Sequence, residues 1–458
     1  MTQPTQPTPP TPQPQPNPAS LPTEAAKLGE LLRAPGYLKT LLFCGLVGIP
    51  VSLAAFWFLA GLQELQRLVW VDLPQAAGFD SPPWWWPLPL LLVSGICVGL
   101  IVTHFPGAGG HIPASGLHPS GSGPAVLPGV ILAAVFSLPL GATLGPEAPL
   151  IALGGGLAVA LRHLTGTPET PMSTALLGAA GSAAAIAAIF GNPLIAAVLL
   201  MEIAGVGGPR LFAVMLPALL SSGIGSLVFT GFGRWTGLST GNLKVNPGME
   251  FPRLDFGDVV WSILIAVVIS CAVHLIQHGG RLTAVHVAGR PLLVTTLCAL
   301  AAGACAAAYA LGTGLNPADV ASSGQDTMGR LVADPHAWGV GALIAVLLCK
   351  GAAFSLCLGS LRGGPIFPSL FLGAAAGILC SPLPGLGVGA GLAAGMAAAT
   401  VSALRLPVST VILVVLVLGS TAMMPVAILS TVVAFVTAEL LPPGPPVPPI
   451  GHTPRPAH

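Results

Sequence analysis

Three stretches of this 458-residue sequence combine glycine and proline in a way that lets the backbone itself do chemistry: Gly109-Gly110-His111-Ile112-Pro113, Gly145-Pro146-Glu147-Ala148-Pro149 and Gly363-Gly364-Pro365-Ile366-Phe367-Pro368. A helix that starts at such a place presents four N–H groups without intrahelical partners and the positive end of its dipole. Glycine lets the backbone approach a ligand closely, and proline suits the first turn, where its missing N–H costs no helical bond. Any one stretch alone could as well be an ordinary loop between helices. Three together predict helix starts aimed at a bound anion, with Gly109, Gly110, His111, Ile112, Pro113, Gly145, Pro146, Ile366 and Phe367 as the binding positions.

Two acids stand out against their surroundings. Glu147 follows Gly-Pro and opens a long apolar run with no cation in sequence until Arg162. An ionisable group in a membrane segment is costly and is a functional hypothesis by default. At a helix N-terminus its carboxylate can occupy the spot that a permeant anion would take, and protonation would release it, which describes a gate. The bland alternative is a capping carboxylate at a membrane surface. Glu202 lies in Leu199-Leu200-Met201-Glu202-Ile203; it reads as a structural acid holding a helix contact or as part of a proton pathway. Lys350 and Arg405 could neutralise buried acids or reach toward an interface.

The elements that must position these residues are set by composition. Only 7% of the residues are charged and 53% are hydrophobic, with a mean hydropathy of +0.85, against roughly 25% charged content in soluble domains. A spanning helix needs about 20 mostly apolar residues, so the chain has room for many passes and reads as an all-α polytopic membrane protein. Several apolar segments are too short to cross, and Gly and Pro punctuate them, which predicts broken and re-entrant helices buried in protein or lining a wet cavity. A net charge of +1 without a basic cluster gives no footprint for nucleic acid. The eight cysteines lie in apolar stretches without metal or redox spacing and read as packing residues. No metal and no cofactor are expected, and the sequence holds no H-E-x-x-H, G-x-S-x-G or P-loop motif of an enzyme.

Residues 1–22 and 441–458 are Pro-rich and read as disordered tails, leaving a transmembrane domain over 23–440 in two halves, about 36–235 and 255–440. Lys27, Arg33 and Lys39 before the first span favour a cytoplasmic N-terminus. The halves carry an internal repeat. Gly145-Pro146 with Leu153-Gly154 superposes on Gly364-Pro365 with Leu372-Gly373, a shift of 219 from 145 to 364. Gly181 with Pro193 superposes on Gly395 with Pro407, a shift of 214 from 181 to 395. Paired interrupted segments at corresponding positions of two halves point to a transporter's central site.

At these motifs the chain resembles the CLC family of chloride channels and chloride/proton antiporters, over about residues 36–440, with Phe190-Gly191-Asn192-Pro193 as a further shared landmark. The resemblance implies an inverted repeat of two halves, a homodimer with one pore per subunit, and a multi-pass protein of the plasma membrane carrying chloride or a similar anion. Glu147 would be the gating glutamate, and the anion would sit near the amides of Ile366 and Phe367 and the motif around Gly110 and His111. The chain departs from the family where Gly110 replaces a serine and His111 a glycine, where Pro365 removes a donor, and where no tyrosine follows Tyr309. A protonated His111 would return positive charge to the first motif. Ile203 stands where antiporters carry a proton-accepting glutamate, which favours a passive channel. An anion/proton antiporter is the alternative, with another inverted-repeat secondary transporter more remote.

Overall fold

The computed structural model describes residues 36–117, 123–164, 171–205, 209–238, 254–335 and 337–448, with the isolated positions 29 and 33. The tail over 1–22, Lys27, residues 449–458 and most of the loop between the halves lie outside the described residues. Apolar runs of helical length become helices throughout, and among the described residues no strand forms. The first half holds α1 (Tyr37–Ala76), α2 (Pro87–His104), α3 (Leu127–Ser137), α4 (Glu147–Ala160), α5 (Pro171–Phe190), α6 (Pro193–Ala204) and α7 (Pro209–Thr236). The second holds α8 (Phe256–Gly289), α9 (Pro291–Thr313), α10 (Gln325–Ala333), α11 (Val340–Ser360), α12 (Ile366–Cys380), α13 (Val388–Leu404), α14 (Pro407–Leu418) and α15 (Met424–Leu440).

Among the described residues eight helices are long and apolar enough to span a membrane. At 1.5 Å per residue α1 is about 60 Å and α8 about 51 Å long, well beyond the roughly 30 Å of hydrocarbon, so both must tilt. By contrast α4, with 14 residues, covers only about 21 Å and begins inside the protein at the fully buried Glu147. Seven of the eight spans have 28–44% of their apolar window buried, leaving a face for lipid, whereas α5 is 83% buried and forms the inner wall.

The same packing recurs in each half: α4 lies on α5 as α12 lies on α13, and α5 on α7 as α13 on α15. The repeat glycines explain how. Gly154 and Gly181 face each other across α4 and α5, and Gly373 and Gly395 do so across α12 and α13; a Cβ on any of the four would strike the other helix's backbone. Small residues at such crossings bring backbones together, which is how helices associate in a bilayer.

Candidate functional site

The two halves meet at the glycines that open α4 and α12. Gly145 N donates to Gly364 O at 2.8 Å and Gly364 N to Gly145 O at 2.6 Å, an isolated antiparallel pair. These residues are repeat equivalents. Equivalent residues that exchange both bonds antiparallel are what a twofold axis between the halves generates. Pro146 and Pro365 occupy the N-cap positions rather than the first turn; Glu147 and Ile366 are the first helical residues.

Glu147 is fully buried. Its Oε1 accepts from Phe367 N at 2.9 Å, so the carboxylate of one half caps α12 of the other. Its Oε2 has no hydrogen-bond partner. The glycines beside it leave room for the carboxylate: a Cβ on Gly145 would lie 2.6 Å, and one on Gly364 2.8 Å, from the carboxyl carbon and displace it. Phe190, at the end of α5, stacks on Phe367 with centroids 6.1 Å apart. Thus the structure brings together Gly145, Pro146, Glu147, Ile366 and Phe367.

The first motif departs from expectation. Among the described residues no α-helix begins at Gly109–Pro113; only a three-residue 3₁₀ turn, Pro113–Ser115, follows it. The reason is local. Gly107, Ala108, Gly109 and Gly110 all have positive φ, and Gly116 at φ 89° ends the turn, so left-handed residues bracket the only helical stretch. His111 is exposed, while Ile112 and Pro113 are buried. The free helix start predicted here is therefore replaced by an irregular loop.

Glu202 reaches from one half to a helix start of the other. Its two oxygens accept from Val408 N at 2.8 Å and Ser409 N at 2.7 Å, capping α14 from α6. Lys350 does not reach an interface: it is fully buried, beside the buried Asp319, and its Nζ donates to the carbonyls of Asp319, Val320 and Ser322 at 3.0–3.1 Å. The Asp319 carboxylate pairs instead with Arg330. Arg405 pairs at 2.6 Å with Glu439, an exposed acid.

Sequence reasoning missed Arg362. It is 2% exposed and lies in the turn before α12. Its backbone N donates to Ser137 Oγ at 3.2 Å, its Nε to Ala108 O at 3.2 Å and its Nη1 to Leu361 O at 3.1 Å, so it ties the first motif to the third. The signal available was a single arginine placed directly before Gly-Gly-Pro in an apolar run.

Two polar cavities flank this centre. One of about 390 Å³ lies between α1 and the α10 region, lined by Gln63, Arg67, Ser323 and Gln325. It leads into a space of about 40 Å³ bounded by Leu144, Pro146 and Ile189, beside the start of α4. The other, about 570 Å³, is lined by Ser115, His274, His278, Arg281 and Arg405. Trp86 Nε1 donates to Val69 O at 3.1 Å, which fixes the start of α2 to the end of α1. The first motif follows the far end of α2, about 27 Å away by helix rise, so the two cavities lie near opposite ends of α2.

The family model of the voltage gated chloride channel matches residues 94–439. The chain belongs to this family, the CLC family of anion transport proteins. It is 28% identical over 352 residues to YfeO of Escherichia coli (strain SMS-3-5 / SECEC), named a candidate ion-transport protein, covering 74% of this chain and 79% of that one. It matches YfeO of Salmonella newport at 28% over 354 residues, 73% and 78% of the two chains. The fold resembles a slow cyanobacterial Cl⁻/H⁺ antiporter with a TM-score of 0.71 at 18% identity, over 87% of this chain and 94% of that one. It also resembles a CLC-type fluoride/proton antiporter, with a TM-score of 0.64 at 17% identity over 86% and 95%. This CLC protein is thus an integral membrane protein of many spans.

Proposed function

We propose that this CLC protein carries chloride or a similar small inorganic anion across the plasma membrane as a passive channel gated by Glu147, and that it is a transporter and not an enzyme. The observation that carries the reading is the Glu147 carboxylate on the Phe367 amide: a negative oxygen rests where the start of α12 offers a donor and positive dipole to an anion. The two cavities mark the ends of the route, and the first motif, with Gly109, Gly110 and His111, lies toward the second. Ion and carboxylate compete for one place, so the route conducts when Glu147 leaves.

Passive conduction is favoured over proton exchange by Ile203, which cannot titrate, and by Glu202, whose two oxygens already serve α14. Protonating Glu202 would give up one of those bonds. The second reading, anion/proton antiport, is favoured by the likeness of fold to two proteins described as proton antiporters; Glu147, with Oε2 unpartnered, would then carry the proton. A homodimer with one pore per subunit goes with either.

Purified protein in liposomes, with anion efflux and proton movement recorded together, tests both. Anion efflux without stoichiometric proton movement is expected. A fixed proton ratio would replace the channel by the antiporter, and absence of anion flux would overturn both.

A further inference from the structure

Arg362 carries a charge that the protein leaves unanswered. Its guanidinium is buried, it bonds only to the carbonyls of Ala108 and Leu361, and its Nη2 is enclosed without a partner. Among the described residues no carboxylate forms an ion pair with it. The other buried charge nearby, Glu147, is held by the Phe367 amide instead. Neutral carbonyls satisfy N–H groups but do not cancel a charge, and a buried ion without a counter-ion is strongly unfavourable.

Among the described residues, backbone rather than an acid lies against the Arg362 side chain. Arg362 sits between the loop of left-handed residues at Gly107–Gly110 and the Gly363-Gly364 turn, and a Cβ on Gly109 would stand 3.7 Å from its Cγ. Glycine backbone therefore lies against it on both sides, with no competing acid. We infer that Arg362 is an anion ligand of this protein: it supplies a permanent positive charge and a free Nη2 donor to a small monovalent anion at the junction of the first and third motifs. The inference rests on the anion-transport reading and deepens it, by giving the site a charged side chain in addition to its backbone donors.

Chloride binding to purified protein, followed by titration calorimetry, tests it. A hydrogen bond to a charged group predicts that Arg362→Met weakens chloride binding about tenfold to a hundredfold, whereas Arg362→Lys, which keeps the charge, stays within a few-fold of wild type. Unchanged affinity in a monodisperse Arg362→Met protein would overturn the inference. If Arg362→Met does not fold, wild-type crystals grown in bromide decide: anomalous density within hydrogen-bond reach of the guanidinium supports it, and density confined to other places overturns it. Wild-type flux in liposomes separates the two ideas. With no flux the transport reading fails; with flux and an indifferent Arg362→Met, only the ligand role fails.

Discussion

Replacing Glu147 by glutamine keeps the shape of the side chain and removes the charge that holds it over α12. The carboxylate is secured by one charge-assisted bond from Phe367 N and by the dipole of α12. A bond to a charged group contributes about 1.5–3 kcal/mol, and a favourable, desolvated helix end about 1 kcal/mol more. A neutral amide keeps about 1 kcal/mol as an ordinary hydrogen bond. The difference, about 1.5–3 kcal/mol, corresponds to a shift of roughly ten- to a hundredfold in the ratio of blocked to open states, at 1.4 kcal/mol per factor of ten. Acid acts on wild type in the same direction, because protonation removes the same charge: flux rises as pH falls. Efflux of chloride from liposomes over a series of external pH values should show Glu147→Gln fixed at or near the wild-type acid plateau. A mutant that keeps the full pH response would refute the assignment of Glu147 as the gate.

Gly373→Ala, or Gly395→Ala, would press a methyl group into the facing backbone and cost about 1–3 kcal/mol by overpacking; thermal unfolding in detergent should show a midpoint lower by several degrees, and an unchanged midpoint would contradict the close crossing. Glu202→Ala should cost about 1–2 kcal/mol through loss of the α14 cap, read by the same melt, while leaving the ratio of proton to anion movement as in wild type; a changed ratio would favour antiport. Lys350→Met should leave the carbonyls of Asp319, Val320 and Ser322 without their donor and cost about 1–3 kcal/mol for each one that stays unsatisfied, seen as loss of monodisperse protein on size exclusion.

What could be read in the sequence was what local chemistry dictates. Glycine, proline and one acid at the head of a short apolar run placed Glu147 at an internal helix start, and the same spacing 219 residues later, from 145 to 364, named the helix it caps. A need for donors at Glu202 was also legible, since an acid one turn from a helix end in apolar surroundings must find them. The rest depended on contacts between distant parts of the chain. Lys350 answers carbonyls near residue 320, and Arg362 answers one at Ala108, pairings that no periodicity announces. The first motif looked like a helix start because Gly and Pro fit one; four positive φ angles in a row decided otherwise, and glycine permits both outcomes at little cost.

The reciprocal pairing of Gly145 with Gly364 has a consequence for directionality. Where the two halves match about this pair, the heads of α4 and α12 are alike in backbone, so those two helix starts do not by themselves distinguish inward from outward flow. Any rectification must be written in side chains at matched positions, and the pair that heads the two central helices is Glu147 in one half and Ile366 in the other. Exchanging those two residues would ask whether the sense of gating can be turned over without altering the frame.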